Sequence, residues 1–211
     1  MKLYSSVVSS NSRRVRVVAA ALERQLGRPL GDGLEIVPID LASPADRERL
    51  TAVNPNTKVP VLVDGDFMLW ESNAINAYLC AKAPGQTLLP TEPRELAEVN
   101  RWLFWTTAHL SVHVGGLNFE RFVKGLIKLG GPDPATVAHH ERLFHQFAKV
   151  AEAHLAEHAW LANDRLSLAD YGLVATLMPA KTAQLPLDAY QRIQALVARI
   201  HDRPEWAASA S

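Results

Sequence analysis

Three short groups of residues carry side chains suited to holding a thiol and making it react. The first is Ser9-Ser10-Asn11, polar residues in a turn just ahead of an amphipathic helix. Serines in a turn before a helix are usually caps; their hydroxyls and the Asn11 amide can also donate hydrogen bonds, and the helix N-terminus adds positive potential that favours an anion. The second group is Lys58-Val59-Pro60. An X-Pro bond adopts cis at modest cost, which would turn the Val59 N–H and C=O outward to pair with an extended peptide. The alternative is an ordinary trans proline opening a strand. Lys58 offers a cation for a terminal carboxylate, or is simply solvated.

The third group, Glu71-Ser72, stands where a helix begins. Free N–H groups and the helix dipole at that position favour an α-carboxylate, and the Glu71 carboxylate can pair with the ammonium beside it. The bland alternative is a serine cap preceded by a solvated acid.

Local elements must bring these groups together. Lys2 to Ser6 reads as a strand and Ser12 to Leu26 as a helix, with Val15, Val18, Leu22 and Leu26 at helical spacing and Ser12 or Asn11 as its cap. Gly27 and Pro29 end it. Leu34 to Ile39 reads as a strand and Pro44 to Val53 as a weaker helix. Pro60 to Val63 and Phe67 to Leu69 flank Asp64-Gly65, a hairpin signal. Ser72 to Lys82 reads as a helix with Ala74, Ile75, Tyr78 and Leu79 inward. The order β-α-β-α-β-β-α predicts a thioredoxin-like α/β domain over residues 1–82. Residues 83–93, with Pro84, Gly85, Pro90 and Pro93, read as a linker. Residues 94–211 read as all-helical: a long helix from Arg94 to about Lys128 interrupted near Gly115-Gly116, then Ala135–Ala159, a helix starting at Leu166 to Ala169, and Asp188–Ile200. Ser167-Leu-Ala-Asp170 resembles a capping box.

Bulk properties narrow the function classes. The chain has 211 residues, 22 basic and 22 acidic side chains and 48% hydrophobic residues, so it can bury a core but has no global field to gather nucleic acid or anionic lipid. A single cysteine, Cys80, makes no internal disulfide and reads as a small buried residue; with no apolar leader, the expectation is a cytoplasmic protein.

NPNTKVPVL, then DGDF, then ESNAI resembles the glutathione-site half of the cytosolic glutathione S-transferase family, particularly its theta, phi and related bacterial groups. The motifs that carry the resemblance lie in the first domain. The resemblance implies a glutathione transferase whose thiolate attacks a hydrophobic electrophile, with glutathione as co-substrate and no metal. It places the γ-glutamyl end of glutathione on Glu71 and Ser72, the cysteinyl backbone on Val59-Pro60, and the glycyl carboxylate on Lys58. Ser9 falls where the family has its catalytic serine, with Ser10 and Asn11 as competitors; Tyr4, inside the strand, is assigned to packing. It also implies a homodimer. Two features depart from the pattern: the loop has no cysteine, and the histidine that commonly precedes NP by about nine residues is absent, that stretch holding Pro44 and Ala45.

In the helical half, Trp102, Trp105, His109 and His113 share one narrow sector of a helix. By resemblance this stripe forms the wall of the electrophile pocket, with Phe119 and Phe122 extending it; alternatively it is a packing face. His154-Leu-Ala-Glu157-His158 has the H-x-x-E-H spacing of some zinc proteases but lacks a third ligand. A transferase-like binding or regulatory protein with little turnover is the second function class.

Overall fold

The computed structural model describes residues 1–210. They form two compact units, Met1–Leu89 together with the stretch from His201, and Pro90–Ile200.

In the first unit, β1 (Lys2–Ser5), β2 (Glu35–Pro38), β3 (Val61–Asp64) and β4 (Phe67–Trp70) form a sheet in the order β2-β1-β3-β4. β1 runs parallel to β2, with Leu3 opposite Ile36, and antiparallel to β3, with Leu3 opposite Leu62. The β3–β4 register pairs Asp64 with Phe67, so the turn is Gly65-Asp66, and Gly65 supplies the positive φ such a turn requires (63°). The Tyr78 hydroxyl and the Lys82 ammonium both reach Asp64, tying the hairpin to the helix after it.

Helix α1 (Ser10–Leu26) begins two residues earlier than its periodicity predicts. Its cap is Ser9, whose hydroxyl accepts the Ser12 N–H at 3.2 Å, and neither Asn11 nor Ser12 plays that part. The reason is that Ser12 is used elsewhere: its hydroxyl accepts the Ser6 N–H. Gly27 closes the helix in the left-handed conformation. Helix α2 (Pro44–Thr51) is short and mostly exposed. Helix α3 (Ser72–Ala81) packs against α1. It buries Ile75 and Leu79 as expected, but Asn76 and Cys80 take the inward places, while Ala74 is exposed and Tyr78 only half-buried. Burial pushes the Cys80 thiol up to about 12, leaving it inert. A separate apolar cluster joins Ile39, Leu50, Val59 and Val61 with Tyr4 and Val53.

The second unit opens with α4 (Pro93–Trp105), α5 (Ser111–Asn118) and α6 (Lys124–Leu126), joined by wide π turns at Thr106–Leu110 and Phe119–Val123. The irregularities thus flank Gly115-Gly116, the expected break, instead of falling on it. Gly116 serves packing: a Cβ there would overlap the His140 ring of α7 (Pro134–Glu157). Helix α8 (Leu168–Thr176) has both halves of its capping box, the Ser167 hydroxyl on the Ala169 N–H and the Asp170 carboxylate on the Ser167 N–H at 2.9 Å. Asp170 also accepts the Leu161 N–H, and burial raises its pKa to about 6. α9 is Gln191–His201.

A further short helix, α10 (Pro204–Ala208), was not evident from the periodicity, and it packs on α1 of the first unit. The last residues therefore do not belong with the helical unit as the sequence suggested. Trp206 is buried there, with the Arg13 guanidinium 4.1 Å from its ring centre.

Candidate functional site

The first unit brings its polar groups to one cavity of about 110 Å³, lined by Asn11, Asn54, Asn56, Lys58, Val59, Pro60, Glu71 and Ser72. Six of these carry or adjoin the three groups singled out from the sequence.

One wall is the loop leading into β3. Val59-Pro60 is cis, and the β1–β3 register ends at Tyr4 opposite Val61, two residues beyond Val59. The Val59 side chain is anchored in the apolar cluster, so its backbone is held at the cavity by its own burial. Asn54 shapes the loop: its amide nitrogen donates to the Lys58 carbonyl at 2.7 Å, and its oxygen accepts the Asn56 N–H at 2.9 Å. Asn54 and Asn56 had no role assigned from the sequence, though they bracket Pro55 in the quoted motif.

The opposite wall is the start of α3. Glu71 occupies the cap position with φ at 73°, a conformation rare for a residue with a side chain, and its carboxylate makes no capping bond. It is exposed and free to meet a cation. Ser72 is therefore the first helical residue and not the cap. It is buried, and its hydroxyl accepts a 3.0 Å hydrogen bond from Arg14. Arg14 is itself buried; burial pulls its pKa down to about 10, and the nearby Glu71 charge opposes that. It stays protonated at neutral pH and adds positive charge beneath the helix start. The sequence held a signal for it: Arg14 lies four residues before Val18 and eight before Leu22, on the apolar stripe of α1.

The third group divides. Asn11 lines the cavity, whereas Ser9 and Ser10 are not among its lining residues. Ser9 is fixed by the Ser12 N–H at its oxygen, which leaves its own proton available to donate. The loop tip beyond it, Val7 and Val8, is 61% and 72% exposed.

The aromatic stripe of the helical unit lies against α7. Trp102 is buried and meets Trp105 edge-on and His154 at 4.8 Å; His109 and His113 both stack on Phe147. Trp102 and Trp105 also line a mainly apolar cavity of about 260 Å³ with Arg101, Val150 and His154. His113 meets His140 through their Nδ1 atoms at 3.0 Å, and His109 is exposed. Phe119 and Phe122 are more than 40% exposed. In the H-x-x-E-H segment the two imidazoles stack on one another, His154 against the Trp160 carbonyl and His158 against Asp164.

A model of the N-terminal domain of glutathione S-transferase matches residues 1–81, and one of the C-terminal domain of glutathione S-transferase matches residues 132–208. The chain is similar to glutathione S-transferase 3 of Zea mays, with 36% identity across all of this chain and 89% of the relative. Among solved structures it resembles glutathione S-transferase III in apo form (TM-score 0.80, 33% identity, 99% of this chain and 94% of that one). It also resembles glutathione S-transferase I bound with lactoylglutathione (TM-score 0.80, 29% identity, 99% and 97%).

Proposed function

Because the chain belongs to the glutathione S-transferase family, we propose that it binds glutathione in the cavity between the Val59 loop and the start of α3 and activates the thiol for attack on an electrophile. The observation that carries this reading is the convergence of Lys58, Val59, Glu71, Ser72 and Asn11 on one cavity. These residues come from three separate stretches of chain. The Zea mays relative is a plant protein, which favours a phi-like grouping over a bacterial, theta-like one. Likeness to a structure that holds lactoylglutathione supports glutathione as the ligand.

Each end of the tripeptide finds its chemistry. The α-carboxylate of the γ-glutamyl group sits at the N-terminus of α3, where the first N–H groups have no partner within the helix and the Arg14 charge lies beneath. The Glu71 carboxylate takes the ammonium. The cysteinyl N–H and C=O pair with the Val59 backbone, and Lys58 takes the glycyl carboxylate. With the usual histidine absent, that end depends on Lys58 and the amides of Asn54 and Asn56.

The sulfur then lies over the turn before α1. Ser9 donates its free proton to it, and the dipole of α1 adds to the effect. Asn11, on the cavity wall, is the rival donor, and Ser10 the third. Trp102, Trp105, His109 and His113 are assigned to the electrophile side. The mainly apolar cavity at Trp102 and Trp105 favours hydrophobic substrates. A homodimer and a cytoplasmic location complete the reading; among the described residues no helix is long and apolar enough to cross a membrane.

Titration calorimetry with glutathione, combined with ultraviolet absorbance of the bound thiolate across pH, tests the proposal. Binding with a thiol midpoint clearly below the free value of about 8.5 is expected. Absence of binding would remove the proposal. Binding without turnover on a panel of hydrophobic electrophiles would favour the binding-protein alternative.

A further inference from the structure

The turn that would face the sulfur is not held by apolar packing, since Val7 and Val8 at its tip are largely exposed. It is held by a ring of hydrogen bonds. The Ser6 N–H donates to the Ser12 hydroxyl at 3.2 Å, the Ser12 N–H to the Ser9 hydroxyl at 3.2 Å, and the Ser9 N–H to the Ser6 carbonyl at 3.2 Å. Arg16 joins this ring: its Nη1 donates to that same Ser6 carbonyl at 3.1 Å and to the Ser5 hydroxyl at 2.6 Å. Its Nε donates to the Ser209 carbonyl at 2.9 Å, just past α10. Arg16 is 5% exposed.

We propose that Arg16 is a positioning residue for thiol activation: it ties the Ser6–Ser12 ring, and with it the Ser9 hydroxyl, to the C-terminal segment. The inference rests on the reading of the site given above and extends it to a residue outside the cavity. Charge-assisted bonds of this kind are stronger than neutral ones, and the planar guanidinium holds acceptors on two separated nitrogens, a spread that a compact ammonium lacks. Its buried positive charge also lies behind the turn that would receive an anionic sulfur. Burial, then the nearby Arg13 charge, pulls the Arg16 pKa below the ordinary guanidinium value. Arg13 reinforces the outer anchor, donating to the Trp206 carbonyl and the Ser209 hydroxyl.

The pH midpoint of the bound glutathione thiol, read by absorbance on the full chain, tests this. Arg16→Met keeps side-chain length and loses the donors. It should raise the midpoint by about one pH unit, a roughly tenfold loss of thiolate at lower pH, with glutathione affinity changed less than about threefold. Arg16→Lys should restore part of the shift. Arg24→Met is the control, because Arg24 meets α10 through Glu205 at 3.9 Å without touching the ring; its midpoint should match the unsubstituted protein whatever its melting temperature. A folded Arg16→Met protein with an unchanged midpoint overturns the proposal. If that variant does not fold, Ser5→Ala removes the shortest of the bonds, and an unchanged midpoint there overturns it equally. An unsubstituted protein that does not bind glutathione removes the functional reading itself, a different result from binding with no Arg16 effect.

Discussion

At the scale of single residues, the proposed site asks two side chains to do distinguishable work. Ser72 is buried, and its hydroxyl already holds Arg14. Truncating it to alanine leaves the guanidinium short of an acceptor beside the ligand carboxylate. A charge-assisted hydrogen bond is worth about 1.5–3 kcal/mol, so Ser72→Ala is expected to weaken glutathione binding by about 10- to 100-fold in calorimetry while leaving the bound thiol midpoint nearly unchanged. Ser9→Ala should do the reverse: the thiol midpoint rises toward the free value of about 8.5, and kcat/KM at neutral pH falls by about 10²-fold. Should Asn11→Ala produce that signature while Ser9→Ala retains full activity, the donor is Asn11, as its place on the cavity wall allows. The types of these residues were readable in the sequence. Arg14's place on the apolar stripe was readable too, but its purpose and that of Arg16 were not, because an arginine on the apolar side of a helix reads as an exception until the acceptors it reaches are known. Those acceptors are Ser72, 58 residues away, and Ser209, 193 residues away.

At the scale of elements, two contacts in the helical unit can be tested. Asp170 joins the start of α8 to the Leu161 N–H by hydrogen bonds to both of its carboxylate oxygens. Asp170→Ala leaves buried donors unpaired at a helix start and should cost about 2–4 kcal/mol in urea denaturation. The other is the α5–α7 contact, where His113 and His140 face each other. Their Nδ1 atoms can share one proton but not two. Burial, then the charges of His140, His139, His109 and Arg142, hold His113 below its ordinary pKa; burial and His139 lower His140, with Glu120 opposing. Both are therefore more readily protonated when unfolded. The stability they contribute is complete above about pH 6.5 and is lost as the pH falls through their depressed values. Asp170, raised to about 6, acts in the opposite sense, losing stability as the pH rises toward that value. Comparing melting temperatures of the unsubstituted protein and His140→Gln from pH 7.5 to 5 isolates the pair: the acid-induced drop should be smaller in the variant. Equal drops would show that the pair does not titrate on unfolding. The sequence marked the histidine stripe on its helix, but the partner stripe on α7 is set by how two helices pack, which periodicity within one helix does not specify.

At the scale of the whole molecule, the chain returns to its first unit at the end. Trp206 packs on α1 beneath Arg13, with His201 stacked at 4.7 Å on its other contact. Removing a buried tryptophan costs about 3–5 kcal/mol. Trp206→Ala should lower amide-exchange protection across α1 and the sheet, with protection of α7 and α8 retained. Uniform loss through both units would show that they unfold as one. The sequence suggested instead a simple division at residues 83–93, because α10 is five residues long and too short to declare a period.

By itself, the sequence determined the β-α-β-α-β-β-α order of the first unit, the hairpin, the capping box and six of the eight residues that line the cavity. Those depend on local rules: spacing of apolar residues, turn chemistry, and a motif only 22 residues long, Asn54 to Ile75. Tertiary structure alone decided that Asn11 and not Ser9 lines the cavity, that Ser72 is gripped by a buried arginine, that the aromatic stripe faces α7, and that the final helix supports the first. Each of these depends on which distant groups share one buried space. Hydrogen-bond satisfaction and close packing settle that only when the whole chain has collapsed around them.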